Sequence, residues 1–476
     1  MSRASRSSSR SRPSAADPLR WLKANGFVLA TCATLFLALV AGGASRLNVG
    51  ASGLIELASL ALLPAAVWRL MERQAWKATR WPIIIGGAIA LTLLAQLIPL
   101  PAAWAAIFPG HDLSLAVQQA VGVSPSWAPM SLTPSLTLRA LLSLAPPIAI
   151  LVATASLSAD ERRTAVLVVL GVALLSLMLG VIQVTQGASS RAYLHEVTNE
   201  ASLVGFFANR NHQATLLLGG LLFSAAILAE QIGAQRGRSP ALIAGAGLVL
   251  LMIGALLVAR SRFGIAMLLP TLVTGLLIIW RSKALSIAPR TVLWVGAGAA
   301  AIILILTPLA APVVLERFQV DASKDLRFVV APDVWRAALD HLPFGSGAGS
   351  FEAVYRSYER AENVSPNFLN HAHNDYLEAF LEAGLVAVVL LAAFLAWVIV
   401  SGVAVWRDRG RADAALARAA SAFIAVVMAH SAFDYPLRTL AISTVFALAC
   451  GLLTPPPGHR ADRRKVRIRR DTRGEA

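Results

Sequence analysis

Residues 379–404 read AFLEAGLVAVVLLAAFLAWVIVSGVA, with one charged side chain, Glu382, in the whole stretch. About 20 apolar residues of helix cross the roughly 30 Å hydrocarbon core of a bilayer. This run is therefore long enough to span one. Eleven other stretches meet the same criterion: 26–44, 51–68, 82–104, 138–157, 164–186, 211–229, 240–258, 264–280, 291–312, 414–433 and 436–454. The last two are separated only by Asp434 and Tyr435, and the gap at 45–50 is short. The composition agrees with a membrane chain. Of the 476 residues 57% are hydrophobic and 14% charged, where a soluble protein shows about 25% charged. The mean hydropathy is +0.65. The expected fold is all-α: a polytopic membrane bundle of about twelve helices.

The charge pattern orients the bundle. The formal net charge is +16, and residues 1–25 and 456–476 each contribute +5 of it. Lys and Arg collect on the cytoplasmic side of membrane proteins. An even number of spans puts both basic tails there, together with the short basic loops at 69–80, 160–163, 230–239, 281–290 and 407–413. Contact with anionic lipid follows for the tails. Nucleic-acid binding is not expected, because Trp21 alone lies among the basic residues of the two tails. The expected organisation is a basic tail (1–25), about nine spans (26–312), a large outer loop (313–378), three more spans (379–454) and a second basic tail (455–476). Cys32 and Cys450 lie inside apolar spans and read as small core residues. A cleaved signal peptide is not expected, since the first span is too long and lacks a small-residue cleavage site.

The large outer loop holds ten acidic and six basic residues. It reads as structured: helical around 332–342, turn-rich over 343–351, helical again over 355–362. Long loops with structure of their own tend to be functional. It ends in His371-Ala372-His373-Asn374-Asp375-Tyr376. Seven of the eight histidines, all but His459, fall on the outer half. Imidazole is the side chain best matched to proton transfer near neutral pH, so the asymmetry points to chemistry outside. It also fits a plainer account, in which outer loops hold most non-basic polar residues.

Arg260-Ser261-Arg262 lies on the outer side, against the positive-inside tendency. Cations there have a reason, such as an anionic ligand suited to the planar guanidinium fork; headgroup snorkelling is the other reading. The glycines at 345–349 offer backbone donors to a phosphate or simply make a tight connection. His371 and His373 are two apart and so sit on a loop or helix start rather than one helical face, with Asn374 or Asp375 as cap. Zinc binding lacks a third ligand at a diagnostic spacing. Residues 209–212 face a ligand or cap a span. Glu56 and Glu382 read either as ion-coupling groups or as partnered structural carboxylates.

Ordered motifs over about 200–440 carry a resemblance. They are Gly205-Phe206-Phe207-Ala208-Asn209-Arg210-Asn211-His212, Ser261-Arg262, Arg327 with Trp335, and Pro343-Phe344-Gly345-Ser346-Gly347-Ala348-Gly349-Ser350-Phe351. Then come His371 to Glu378 with Glu382-Ala383-Gly384-Leu385, and His430-Ser431-Ala432-Phe433-Asp434-Tyr435-Pro436-Leu437. In these the chain resembles the superfamily of O-antigen ligases and Wzy-type O-antigen polymerases of the bacterial envelope. The resemblance implies a GT-C-like, inner-membrane glycosyltransferase without metal or other cofactor. Its donor would be a polyprenyl-diphosphate-linked oligosaccharide at the periplasmic face. It implies His373 as base and Arg262 and Arg327 as diphosphate ligands, with Arg210, Asn211, Arg260, His371, Asn374, Asp375 and Asp434 as supporting candidates. The acceptor would be a growing glycan, for a polymerase, or lipid A-core, for a ligase. The form of the glycine-rich and histidine motifs leans to the polymerase. From another class, a twelve-span layout also suits a flippase or secondary transporter, although the polar groups concentrate in one outer loop rather than near the midplane of paired halves.

Overall fold

The computed structural model describes residues 18–46, 49–123, 127–196, 198–233, 240–282, 326–364, 369–408 and 410–458. The expected span 291–312 and most of both tails lie outside them. The described chain is an α-helical polytopic bundle. Its helices are α1 (Pro18–Ala41), α2 (Val49–Glu72), α3 (Trp76–Gln96), α4 (Ala102–Ala105), α5 (His111–Ala120), α6 (Pro134–Leu142), α7 (Ala145–Ser156) and α8 (Ala159–Gln186). They continue with α9 (Arg210–Gly233), α10 (Pro240–Val258), α11 (Arg262–Arg281), α12 (Leu326–Asp340), α13 (Phe351–Tyr358), α14 (Asp375–Arg407), α15 (Ala414–Ser431) and α16 (Leu440–Leu453). Eight stretches are long and apolar enough to cross a membrane, and three shorter apolar helices accompany them. These correspond to the eleven expected spans that lie within the described residues.

Three boundaries differ from the sequence reading, each for a local reason. The span expected at 82–104 stops at Gln96, because Pro99-Leu100-Pro101 forms a strand, β1, paired antiparallel with β2 (Trp127–Pro129). The span at 138–157 is two helices, with Pro146 and Pro147 in the first turn of α7, where missing N–H donors cost little. The link between the last two spans is longer than two residues. It runs from Ala432 to Thr439 and contains a 3-10 turn at Pro436–Arg438. In the large loop, the first helix begins earlier than expected, at Leu326, and the second occupies Phe351–Tyr358.

The core gathers around α7, α9, α15 and α16, with α2 packed on α7 and α11 on α9. Without a hydrophobic force between helices in lipid, close approach depends on small residues. Gly219 on α9 lies against the Phe423 ring of α15, where a Cβ would collide. At the end of the bundle away from the histidines, Arg162 donates to Asp413 Oδ2 at 2.8 Å and to the Thr454 carbonyl at 2.7 Å. Arg411 donates to both Asp413 oxygens and to the last carbonyls of α16. Both ends of the Arg162–Asp413 pair are fully buried. Burial works against the charge on Asp413, but Arg162 and Arg411 outweigh it and hold the carboxyl below its ordinary range. The stabilisation is therefore present above that range and lost as pH falls through the depressed value. Asp413→Ala leaves two buried guanidinium groups without their carboxylate. It is expected to cost about 3–5 kcal/mol, read as a lowered unfolding temperature in detergent.

Candidate functional site

The site is built at the junction of five segments that are far apart in sequence. The polar turn 432–439 connects α15 to α16. The starts of α9 and α11, the start of α12, and the loop 369–374 before α14 all reach it. The buried carboxylate of Asp434 is where they meet.

Its two oxygens face different partners. Oδ1 lies 3.2 Å from His373 Nδ1. Oδ2 accepts from Asn211 Nδ2 at 2.7 Å and, more weakly, from Asn209 Nδ2 at 3.4 Å. The Arg327 guanidinium stands 3.7 Å from the same Oδ2, and so does His430 Nε2. Burial alone would push the Asp434 carboxyl up. The hydrogen bond from His373 and the nearby imidazoles of His430 and His212 hold it well below the ordinary carboxylate range instead. An ionised Asp434 accepts only, so in the neutral imidazole it holds the proton on His373 Nδ1 and leaves the lone pair on Nε2. That is the form of imidazole that takes a proton from a hydroxyl.

Ser261 ties the α11 start to this hub. Its hydroxyl caps α11 by accepting from Gly264 N and donates to Asn211 Oδ1 at 2.9 Å. Arg262, half-buried, is the first residue of α11, directly after that cap. Behind them His430 stacks on Phe263 at 4.1 Å between ring centroids, and its Nδ1 meets Thr215 Oγ1 at 2.7 Å.

The His373 backbone is left-handed, φ 51°. For a side chain with a Cβ this costs about 1–2 kcal/mol. It persists because both neighbours are pinned. Asn374 is the N-cap of α14, accepting from Tyr376 N and Leu377 N at 3.0 Å and donating to the Ala432 carbonyl at 3.1 Å. On the other side, the Ala372 N–H donates to Glu378 Oε2 at 2.8 Å. Tyr435 packs against both imidazoles, 4.4 Å from His371 and 4.9 Å from His373 by ring centroids. Those two side chains keep 21% and 23% of their surface open, while Tyr435 and Ala372 are buried.

The structure thus brings together His373, Asp434, Asn211, Arg327 and the Ser261–Arg262 start of α11. Other sequence candidates stand further out. Arg260 is exposed, with φ 55°. Arg210 turns to the loop before it, its backbone N–H on Asn199 Oδ1 at 3.1 Å and its Nη1 3.4 Å from Ser202 Oγ. Asp375 is buried and accepts from Ser431 Oγ and Leu437 N, which fastens the end of α15 and the 3-10 turn to α14. The cap is Asn374, not Asp375.

The glycine-rich turn is the tight connection rather than a phosphate cradle. The six amides from Gly345 to Ser350 donate to the His341, Leu381, Glu382 and Gly347 carbonyls and to the Gln96 and Glu382 side chains. Its acceptors belong largely to α14, which bends at Gly384, φ 55° and ψ −136°. A Cβ there would run into the Pro343 carbonyl. Glu382, accepting from Gly349 N at 2.7 Å and Arg438 Nη1 at 2.8 Å, is a partnered structural carboxylate. Glu56 is likewise paired, with Arg139 at 2.9 Å. Among the described residues no three His, Cys, Asp or Glu side chains converge as a metal site.

Arg438, in the 3-10 turn, joins this end of the bundle without a motif to mark it. It stands 2.8 Å from Glu382, 3.2 Å from Glu378 and 3.7 Å from Asp375. Burial works against its charge, but these carboxylates outweigh it and raise its pKa above the ordinary arginine value. The signal was available: Arg438, like Arg262, is a cation on the side expected to be outside.

These features define a polytopic membrane protein with a histidine–aspartate pair and an arginine at one end of its helices. Residues 247–392 match the family described as O-Antigen ligase (Wzy_C). The match covers 146 of the 476 residues and supports a likeness to the O-antigen ligase superfamily, whose general function is glycosyl transfer of the ligase or polymerase type. The match includes Arg262, Arg327, His371 and His373 but stops short of Asp434, which the fold supplies. No curated protein matches the chain.

Proposed function

We propose that the chain is an inverting glycosyltransferase acting on polyprenyl-diphosphate-linked glycans at the periplasmic face of the bacterial inner membrane. In this reading it joins repeat units of an O-antigen or exopolysaccharide. Both basic tails are cytoplasmic and contact anionic lipid, and the loop 313–378 is periplasmic. The observation that carries the reading is the shared carboxylate of Asp434, with His373 on one oxygen and Arg327 and Asn211 on the other.

The division of that carboxylate suits one displacement. His373 Nε2 takes the proton of the acceptor hydroxyl as its oxygen attacks the anomeric carbon. The bond from that carbon to the diphosphate oxygen breaks, and the diphosphate leaves with the electron pair. Asp434 stabilises the imidazolium that forms. Arg262 and Arg327 meet the developing negative charge, supplying fixed cations where no nucleotide is at hand. Attack from the face opposite the leaving group inverts the anomeric centre.

A second reading, transfer of finished glycan onto lipid A-core, is favoured by the description of the matching family. A deletion strain separates the two. Loss of a polymerase is expected to leave single repeat units on the carrier lipid. Loss of a ligase is expected to leave long chains there. If neither accumulates, both readings fall.

A further inference from the structure

Glu378 is not needed to bind a donor or take a proton, yet it is built into the site with care. It lies on the first turn of α14 and is buried. Its side chain reaches back across the cap and grips two consecutive residues. Oε1 meets His371 Nδ1 at 2.8 Å, and Oε2 accepts the Ala372 N–H at 2.8 Å. Arg438 Nη1 stands 3.2 Å from Oε1. The residue that follows this grip is His373, whose φ of 51° is costly unless something imposes it.

We propose that Glu378 is a positioning residue for His373: by holding His371 and the Ala372 N–H it imposes the left-handed turn that aims His373 at the acceptor hydroxyl. Asn374 fixes the chain after His373, and Glu378 fixes it before. Tyr435, packed on both imidazoles, transmits the position of His371 to His373. Arg438 braces the carboxylate from behind. The proposal rests on His373 being the base, as set out above.

The competing role for Glu378 is electrostatic, a counter-charge for the half-buried Arg438. Two conservative substitutions oppose the roles. Glu378→Gln keeps the reach and an oxygen for the Ala372 N–H but loses the charge. Glu378→Asp keeps the charge but is one methylene too short to hold both residues. The full-length protein in detergent is assayed with lipid-linked saccharide extracted from a strain deleted for this chain. A displacement of about 1 Å at a reacting group is worth on the order of 100-fold in rate. Glu378→Asp is therefore expected to lower kcat about 30- to 100-fold with KM little changed, whereas Glu378→Gln stays within about fivefold of the parent. The reverse order, or kcat unchanged in both, overturns the positioning role. His373→Ala is run beside them. If it transfers glycan at the parental rate, the base assignment itself has failed. If it is inactive while the Glu378 variants disagree with the expected order, only the positioning role has.

Discussion

His373→Ala is expected to lower glycan transfer by about 10²- to 10⁴-fold, the usual contribution of a general base. Membrane insertion and elution in detergent should not change, because the imidazole is about one-quarter exposed and anchors no helix. Asp434→Asn is expected to fall to the same order. An amide turned toward His373 donates where the carboxylate accepted, so it moves the imidazole proton from Nδ1 to Nε2 and removes the lone pair from the reacting nitrogen. The double variant should lose little more than either single one, since both remove the same unit. Asp434 is held well below the ordinary carboxylate range. It therefore stays ionised at any pH where the protein is assayed, and its own protonation should leave no step in the pH–rate profile. Rates measured on extracted lipid-linked saccharide decide the point: transfer by His373→Ala within threefold of the parent would remove it from the mechanism.

The bundle was legible in the sequence because span length is a one-dimensional property. A run such as 379–404 needs no partner to declare itself. Eleven expected spans coincide with described helices for that reason, and the errors sit where proline changes the backbone, at Pro99, Pro146 and Pro436. The site was legible only as a list. His373, Arg327 and Asp434 were all named, but their meeting depends on a turn 61 residues beyond His373, and no periodicity carries that distance. Asp375 and Asp434 look alike in the sequence. One is spent on Ser431 and Leu437, the other receives the histidine and the arginine. The glycine-rich turn misleads in the same way, since whether its amides are available for a ligand depends on acceptors on α3 and α14. Arg438 was discoverable by the rule already applied to Arg262, but a cation between two closely spaced spans was absorbed into the span boundary.

Arg327→Ala and Arg262→Ala are each expected to reduce transfer by about 10²- to 10³-fold, the range found for removing one preorganised donor from a developing anion. Lysine at either position should recover part of this loss, because it restores the charge but not the planar fork that meets two phosphate oxygens at once. Arg327 has a second consequence. It shares Asp434 Oδ2 with Asn211, so a diphosphate that draws the guanidinium toward itself draws it away from the carboxylate that orients His373. Removing Arg327 then leaves the histidine pair intact while weakening the hold on the leaving group. Inorganic pyrophosphate separates these functions as a competitor. His373→Ala should bind it as the parent does, whereas Arg327→Ala and Arg262→Ala should bind it at least tenfold more weakly, a loss of about 1.4 kcal/mol or more. Equal pyrophosphate affinity in the parent and both arginine variants would take the diphosphate away from these residues and leave the anion-binding role without a carrier.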